Sequence, residues 1–241
     1  MNHMVGHKNI ALCMMKQFFQ DVTYNHIFVS DLPIDERFLY SNRGGTYIFP
    51  LYQYYPTSDK PIYNFNTKVV QTIEDSIGAK LSDESGERTF TGLELIQYIY
   101  AILYSNKYRK QYNDQLKYDF PTVSYPENLS YFRRMATYGE KLFKLHLPKE
   151  YYRKESPILL DRLVSYKFEN DKIVLNGEIV VDAIPNIGKK QMGGYKPADK
   201  WLKDRKGMAF TEYDLELYKK IVSAIIKTDE IMQEIDQIII I

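Results

Sequence analysis

The chain has very little cysteine and no long apolar segment. Cys13 is the single cysteine among 241 residues, which excludes an intramolecular disulfide and a zinc site built from several cysteines. No run approaches the ~18 consecutive apolar residues of a membrane span, and the first residues lack the apolar core of a signal peptide. These absences predict a protein that has no membrane association and works in the reducing cytoplasm.

The motifs of several enzyme classes are missing as well. The chain has no G-x-G-x-x-G dinucleotide loop, no P-loop and no G-x-S-x-G turn of serine hydrolases. His3 and His7 are four residues apart, but near a terminus we interpret them as part of a mobile polar end. Cys13 lies in an apolar run and is interpreted as a buried structural thiol. The sequence therefore predicts no metal site and no catalytic residue.

Net charge of either sign is nearly absent, because 32 Lys and Arg residues face 31 Asp and Glu residues, giving +1. This balance argues against a wholly basic nucleic-acid coat protein but allows a local basic face. Between Lys189 and Lys206, seven basic and two acidic residues give a local charge of +5. A solvated basic helix face and a nucleic-acid interface both suit this segment. Smaller basic clusters at Lys107–Lys110 and Arg133-Arg134 are interpreted as surface charge.

The hydrophobic pattern of the first two thirds changes from strand-like to helical. Short apolar runs predict strands at Asn9–Gln17, His26–Ser30 and Thr46–Tyr52. Pro50 marks the third of these as an edge strand or a broken one. The predicted helices are Phe65–Ile77, Leu93–Tyr104 after a capping box at Thr91 and Glu94, Lys107–Tyr118 and Leu129–Leu147. The acidic segment Gly78–Arg88 between the first two helices predicts a loop.

The last third returns to strands and ends in a helix. The predicted strands are Val164–Glu169, Lys172–Leu175 and Glu178–Ile184, with hairpin turns at Asn170-Asp171 and Asn176-Gly177. Helices follow at Pro197–Lys206 and Thr211–Asp236, the second capped by Thr211. The whole pattern predicts an α+β fold with a mixed β part and loops, a supporting helical bundle and a long C-terminal helix. A soft boundary separates residues 1–150 from 151–241, which could also form one domain.

Three passages carry a resemblance to a known family. The first contains YIFPLYQY and NFN between residues 46 and 66, and the second contains YIYAILYSNKYRKQYNDQLKYDFP and GEKLFKLHL between residues 98 and 147. The third, between residues 173 and 236, contains IVLNG, IPNIG and GGYKPADKWLKDRKGMAFTEYDLELYKKIVSAIIKTDEIMQEID. Together they resemble the C-terminal target-recognition region of type ISP single-chain restriction–modification enzymes. Tyr104 and Thr122-Val123-Ser124 depart from that family's usual residues.

The resemblance implies recognition of a specific sequence in double-stranded DNA. It also implies a parent enzyme of bacterial defence, an N6-adenine DNA methyltransferase with a restriction nuclease and a helicase. Those portions are the implied partners, and S-adenosylmethionine, Mg²⁺ and ATP are implied for them alone, with no cofactor for this chain. Methyltransferase, nuclease and helicase motifs are absent from the sequence. We therefore expect a recognition portion without catalysis: a fragment, a truncated gene product or a separate subunit.

The candidate DNA-contacting residues are basic, amide and aromatic side chains that a core cannot use. They are Arg43, Lys189, Lys190, Gln191, Tyr195, Lys196, Lys203, Arg205 and Lys206. Lysines are expected to hold phosphates, whereas Arg43, Gln191 and Arg205 carry forked or amide groups that pair with base edges. The apolar signature residues are expected to pack in the core instead: Tyr98, Tyr100, Leu103, Phe120 and Trp201.

Two other functions stay open. The apolar tail Ile238–Ile241 would suit a protein-interaction module of a larger assembly, in which the basic segment binds an acidic partner. A truncated DNA methyltransferase or helicase fragment is the second alternative, which methylation by this chain alone would support. Salt-titrated binding to DNA and to an acidic polypeptide distinguishes DNA recognition from the interaction module.

Overall fold

In a computed structural model of the chain, residues 2–17, 23–39, 44–58, 60–147 and 158–240 are described. They form a mixed α+β fold of helices and small sheets that ends in a long helix, as the sequence predicts. The chain divides into two compact units, Met1–Leu147 with Ile231–Ile241, and Pro148–Glu230. The predicted boundary at residue 150 lies outside the described residues and stays a prediction.

The described residues form seven α-helices and twelve strands. The helices are α1 Thr67–Ile77, α2 Gly92–Tyr104, α3 Asn106–Gln111, α4 Asn113–Leu116, α5 Leu129–His146, α6 Pro197–Arg205 and α7 Glu212–Ile238, with a 3₁₀ turn at Ile187–Lys189. The strands are β1 Ala11–Met15, β2 Ile27–Ser30, β3 Thr46–Pro50, β4 Tyr52–Gln53, β5 Ile62–Tyr63, β6 Lys80–Leu81, β7 Thr89–Phe90, β8 Leu159–Arg162, β9 Tyr166–Phe168, β10 Lys172–Leu175, β11 Ile179–Asp182 and β12 Ala209–Thr211. Across these residues, no helix is both long enough and apolar enough to span a membrane.

The first unit begins with a three-stranded antiparallel sheet in the order β2-β1-β3. Leu12 lies opposite Val29 and Met14 lies opposite Ile27. These four buried side chains share one face of the sheet and belong to the main core. Pro50 lies in β3, at the edge of the sheet as predicted, because an edge strand tolerates a missing N–H.

Helices α2 and α5 pack against each other in the same core. Helix α2 begins with the predicted capping box: the Thr91 hydroxyl accepts from the Glu94 N–H at 3.1 Å, and the Glu94 carboxylate accepts from the Thr91 N–H at 2.7 Å. Gly139 of α5 lies directly against the backbone of α2. A Cβ added at Gly139 would stand 1.9 Å from the Gln97 carbonyl oxygen, so glycine permits the close approach of these two helices.

In the first unit, a buried arginine and a half-buried histidine lie among tyrosine rings. The Arg109 guanidinium lies 4.7 Å from the centre of the Tyr104 ring, and its Nε donates to the Leu103 carbonyl at 2.7 Å. His146 Nδ1 lies 2.8 Å from the Tyr100 hydroxyl. Burial, and then the positive charge of Arg109, lowers the pKa of His146 to about 3. The interpretation of Arg109 as surface charge is therefore wrong, because its side chain lies in the core.

The last turns of α7 belong to the first unit. Ile231 and Ile235 are buried in its core. The Asp236 carboxylate accepts hydrogen bonds from the Ser105 hydroxyl at 2.7 Å and from the Lys107 N–H at 3.1 Å. A carboxylate at the N-terminus of a helix is favoured by unpaired N–H groups, so Asp236 stabilises the start of α3.

The second unit has its own core. Its most buried side chains include Leu163, Ile173, Leu175, Leu202, Phe210, Tyr218 and Val222. Strands β9, β10 and β11 form an antiparallel sheet, and its second turn uses Asn176 and Gly177 with φ of +51° and +80°, as the Asn-Gly pair predicts. Thr211 caps α7, accepting from the Asp214 N–H at 3.2 Å while the Asp214 carboxylate accepts from the Thr211 N–H at 3.0 Å.

Parts of the secondary structure differ from the predictions. The predicted helix Lys107–Tyr118 is two short helices, α3 and α4, with the break at Tyr112. The predicted loop Gly78–Arg88 contains β6, which pairs in parallel with β7. Strands β5, β7, β8 and β12 were not predicted, and β4 overlaps the predicted strand Thr46–Tyr52 only at Tyr52. Strands of two to four residues leave little alternating pattern in a sequence.

Candidate nucleic-acid interface

Helix α6 is amphipathic and presents three lysines on one side. Ala198 and Leu202, four residues apart, are buried in the core of the second unit. Lys196, which precedes the first turn, is followed by Lys200 and Lys203 at i+4 and i+7, so the three are exposed along the opposite side. We call Lys196, Lys200 and Lys203 the lysine face of α6. The lysines form one face because the buried and the charged positions of α6 each recur at helical spacing.

The packed side of α6 holds the tryptophan and the arginine of the basic segment. The Trp201 ring centre lies 5.1 Å from that of Tyr218 and 6.2 Å from that of Phe210, as expected for a residue that anchors the helix. The Arg205 guanidinium carbon lies 3.8 Å from the Trp201 ring centre, and its Nε lies 3.9 Å from Asp214 Oδ1. A cation–π contact and an ion pair therefore hold Arg205 within the unit.

The loop before α6 is fixed at two points. Lys190 forms an ion pair with Asp229 of α7. The Met192 N–H donates to the Tyr195 carbonyl at 2.8 Å, and the Tyr195 N–H donates to the Met192 carbonyl at 3.1 Å. This pair closes a tight turn in which Gly193 has a φ of +58°, a left-handed conformation that glycine adopts without strain. The loop therefore has a defined course.

The predicted DNA-contacting residues differ in exposure and in whether an acidic partner holds them. Lys190 and Arg205 are half-buried, and each has an acidic partner in the second unit. The exposed members are Lys189, Gln191, Lys196, Lys203 and Lys206. Among the residues that the structure describes, none of these four lysines forms an ion pair. Tyr195 is half-buried, and Arg43 lies outside the described residues.

The two acidic residues of the basic segment already have partners. Asp204 accepts a hydrogen bond from Lys200 at 2.7 Å, which raises the pKa of this lysine. Asp199 accepts from the Tyr166 hydroxyl at 3.1 Å. Exposed ion pairs of this kind contribute little energy because water screens them. The charge of the four exposed lysines without acidic partners is consequently available to an anionic ligand.

Sequence reasoning missed the acidic residues that fix the basic ones. Asp214 carried a local signal, since Thr211-x-x-Asp214 is a capping-box pattern that places the carboxylate in the first turn of α7. Asp229 carried none, because it lies 39 residues from Lys190 in the sequence. Over the described ranges, no group of three His, Cys, Asp or Glu side chains could hold a metal ion.

Comparisons with known proteins place this architecture in a family. Residues 1–234 match the family described as the Type ISP C-terminal specificity domain. No curated protein sequence matches the chain.

Similar solved structures include three large DNA complexes. The ATP-dependent Type ISP restriction-modification enzyme LlaBIII bound to DNA has a TM-score of 0.66 at 15% identity, over 95% of this chain and 16% of that one. The DrdV–DNA complex has a TM-score of 0.67 at 17% identity, over 98% of this chain and 25% of that one. A nuclease-deletion mutant of the Type ISP restriction-modification enzyme LlaGI, in complex with a DNA substrate mimic, has a TM-score of 0.60 at 18% identity. The match covers 95% of this chain and 21% of that one.

These likenesses at low identity concern the fold, and the chain spans a quarter or less of each of the three solved structures. The family match, in contrast, covers almost the whole sequence. The chain therefore belongs to the family of Type ISP C-terminal specificity domains.

Proposed function

We propose that this chain recognises a specific sequence in double-stranded DNA and performs no chemistry of its own. The observation that carries the proposal is the cluster of exposed lysines around α6 in a member of the specificity-domain family. The three similar structures named above are complexes with DNA or with a DNA substrate mimic, which supports the same ligand class for this chain.

The lysine face of α6 supplies the sequence-independent part of the binding. DNA carries a dense row of phosphates, and each lysine that neutralises one releases a condensed counterion, so affinity falls as salt rises. Lys196 and Lys203 lie seven residues apart on one side of a helix, which spans about 10 Å at 1.5 Å per residue. That distance suits contacts to phosphates along one stretch of backbone.

The base-reading part falls to side chains with paired donors and acceptors. Gln191 is exposed in the loop before α6, and its amide matches the N6 and N7 edge of adenine. Arg43 and Arg205 keep their proposed base-contacting roles. For that role, the guanidinium of Arg205 would have to leave its contacts with Asp214 and the Trp201 ring, so that its fork of N–H donors reaches the base edge.

The chemistry belongs, in this proposal, to other portions of a parent enzyme. Those portions would be an N6-adenine methyltransferase, a nuclease and a helicase that use S-adenosylmethionine, Mg²⁺ and ATP in the bacterial cytoplasm. A division of this kind fits the coverage, since the chain spans 16–25% of the similar enzyme structures.

The apolar tail gives the interaction-module alternative less support than the sequence suggests. Ile238 and Ile239 of the apolar tail pack against the core of the first unit, and the Ile240 N–H donates to the Tyr131 hydroxyl at 3.2 Å. Ile240 is half exposed, but a tail that is partly packed in its own unit offers a partner less apolar surface than a free one.

Lys203→Ala tests the interface. We expect weaker binding to all duplex sequences alike, and a plot of log affinity against log salt that is shallower by about one unit, because one phosphate contact is lost. Lys219→Ala is the matched control, since Lys219 is an exposed lysine of the same unit that already pairs with Glu216.

Fluorescence titration with labelled duplex at several salt concentrations measures the affinity and the salt slope of both variants, with poly-glutamate as competitor. Equal salt slopes for the two variants would contradict the interface, and tighter binding to the acidic polypeptide than to DNA would contradict DNA as the ligand.

A further inference from the structure

The amide of Gln53, at the end of β4, is held in one orientation by a chain of hydrogen bonds. Asn64 Nδ2 donates to the Pro50 carbonyl at 3.0 Å, so Asn64 Oδ1 must be the acceptor on its other side. Gln53 Nε2 donates to that oxygen, and the Tyr55 hydroxyl donates to Gln53 Oε1 at 2.6 Å. This series of hydrogen bonds begins at a backbone carbonyl, which can only accept. The donor and the acceptor of each further hydrogen bond in the series are therefore determined.

These hydrogen bonds use half of the hydrogen-bonding capacity of the Gln53 amide. A primary amide has two N–H donors and two acceptor lone pairs, and the contacts to Asn64 and Tyr55 occupy one of each. On this half-buried side chain, one donor and one acceptor have no partner among the residues that the structure describes. A glutamine pairs with the N7 and N6 atoms of adenine through one donor and one acceptor of this kind. Because its rotamer is already fixed, it loses little further entropy on binding.

The N-terminal segment is hydrogen-bonded to both neighbours of Gln53 in the sequence. Asn9 Nδ2 donates to the Tyr52 carbonyl at 2.9 Å, and the Tyr54 N–H donates to His3 Nδ1 at 3.0 Å, so the segment is bonded on both sides of residue 53. The interpretation of this terminus as a mobile polar end is therefore wrong.

Two exposed side chains of this segment can approach a nucleic-acid backbone. The His7 ring stacks on the Tyr54 ring with centres 4.0 Å apart and planes 8° apart. The Tyr54 hydroxyl donates to the Lys8 carbonyl at 2.6 Å, which fixes the main chain from which the exposed Lys8 side chain extends. A lysine contact to phosphate positions a duplex and carries no sequence information, whereas an amide in the groove does.

We propose that Gln53 is a specificity-determining residue that reads the major-groove edge of an adenine in the target duplex, with Lys8 on a neighbouring phosphate. The inference rests on the proposed DNA recognition, but it uses residues of the first unit and none of the basic segment of the second. Tyr55 and Asn64 are positioning residues, which act on the base through the orientation of the Gln53 amide.

Selection from a pool of randomised duplex DNA, followed by sequencing of the bound fraction, tests this reading with the 241-residue chain. We expect the wild type to enrich a motif that contains an adenine which Gln53→Ala no longer selects, with a loss of about 5- to 150-fold in discrimination at that one position. Gln53→Glu should change the preference there to cytosine, since a carboxylate accepts from the cytosine amino group. Tyr55→Phe, which removes the orienting hydroxyl, should reduce the adenine preference without replacing it by another base.

Gln71→Ala is the matched control, because Gln71 is an exposed glutamine of α1 whose amide also donates to a neighbouring side chain, that of Asp75. It should enrich the wild-type motif unchanged. If Gln53→Ala and Gln53→Glu also enrich the unchanged wild-type motif, Gln53 is not a base-reading residue and target recognition by the chain still stands. If the wild type binds duplex DNA but enriches no motif, or binds none, the proposed function fails together with the inference.

Discussion

The substitution Gly139→Ala tests the close approach of helices α2 and α5. In the structure, a Cβ at residue 139 would stand 1.9 Å from the carbonyl oxygen of Gln97 and 2.4 Å from its carbonyl carbon. Both are backbone atoms in the middle of a helix, so no side-chain rotation relieves the contact. The helices must move apart by more than 1 Å to restore ordinary van der Waals distances.

Two effects of opposite sign decide the result. Alanine is a better helix former than glycine by about 1 kcal/mol, which alone would stabilise α5. Overpacking a core commonly costs about 1–3 kcal/mol, and a backbone contact as short as that of Gly139 belongs at the upper end of this range. We expect a net loss of about 2 kcal/mol in the free energy of unfolding.

Urea unfolding followed by far-ultraviolet circular dichroism measures this loss. With an m-value of about 2 kcal/mol per molar urea, the transition midpoint should fall by about 1 M. Glu140→Ala is the control, since Glu140 is exposed on the same helix and pairs with Lys144 at the surface. The midpoint of this variant should stay close to that of the wild type. A Gly139→Ala variant as stable as the wild type, or more so, would refute the packing described for these helices.

Two other predictions follow from buried ionisable groups. Burial, followed by the charge of Arg109, lowers the pKa of His26 to about 4 and that of His146 to about 3, whereas the unfolded chain protonates both near pH 6.5. The unfolded state therefore binds more protons than the folded state below pH 6.5. The free energy of unfolding should fall by up to about 2 kcal/mol per histidine between pH 7 and pH 5. A urea midpoint that is unchanged across this range would contradict the burial of the two rings. Burial raises the pKa of the Cys13 thiol to about 12, so a thiol reagent such as DTNB should react with it only as urea unfolds the chain, and complete reaction within minutes in native buffer would show that Cys13 is accessible.

The fold could be predicted where the sequence carries a local signal. The capping residues Thr91 and Thr211 and the turn pair Asn176-Gly177 each act within a few residues of the chain, and the structure has each of them in the expected role. Short strands such as β5 and β6 depend on partners elsewhere in the fold, so hydrophobic period alone did not reveal them. The burial of Arg109 was missed for the same reason, since its tyrosine neighbours come from outside its own helix.

The candidate site shows the same division between local and distant determinants. The basic segment and the anchoring role of Trp201 followed from charge and helical spacing within 18 residues. The contact of Lys190 with Asp229 joins residues far apart in the sequence. The orientation of the Gln53 amide depends on Asn64, which directly follows β5. A single sequence identifies which side chains suit a nucleic acid, but their rigidity and pairing come from tertiary contacts.

The most direct test of the central claim is a binding titration of the 241-residue chain with randomised duplex DNA at two salt concentrations, with sequencing of the bound fraction. We predict one enriched motif together with a steep loss of affinity at the higher salt concentration, which is the combination expected of phosphate contacts joined to base readout. Binding that enriches no motif would leave a phosphate-binding surface without recognition, and no binding at the lower salt concentration would contradict DNA as the ligand of this chain.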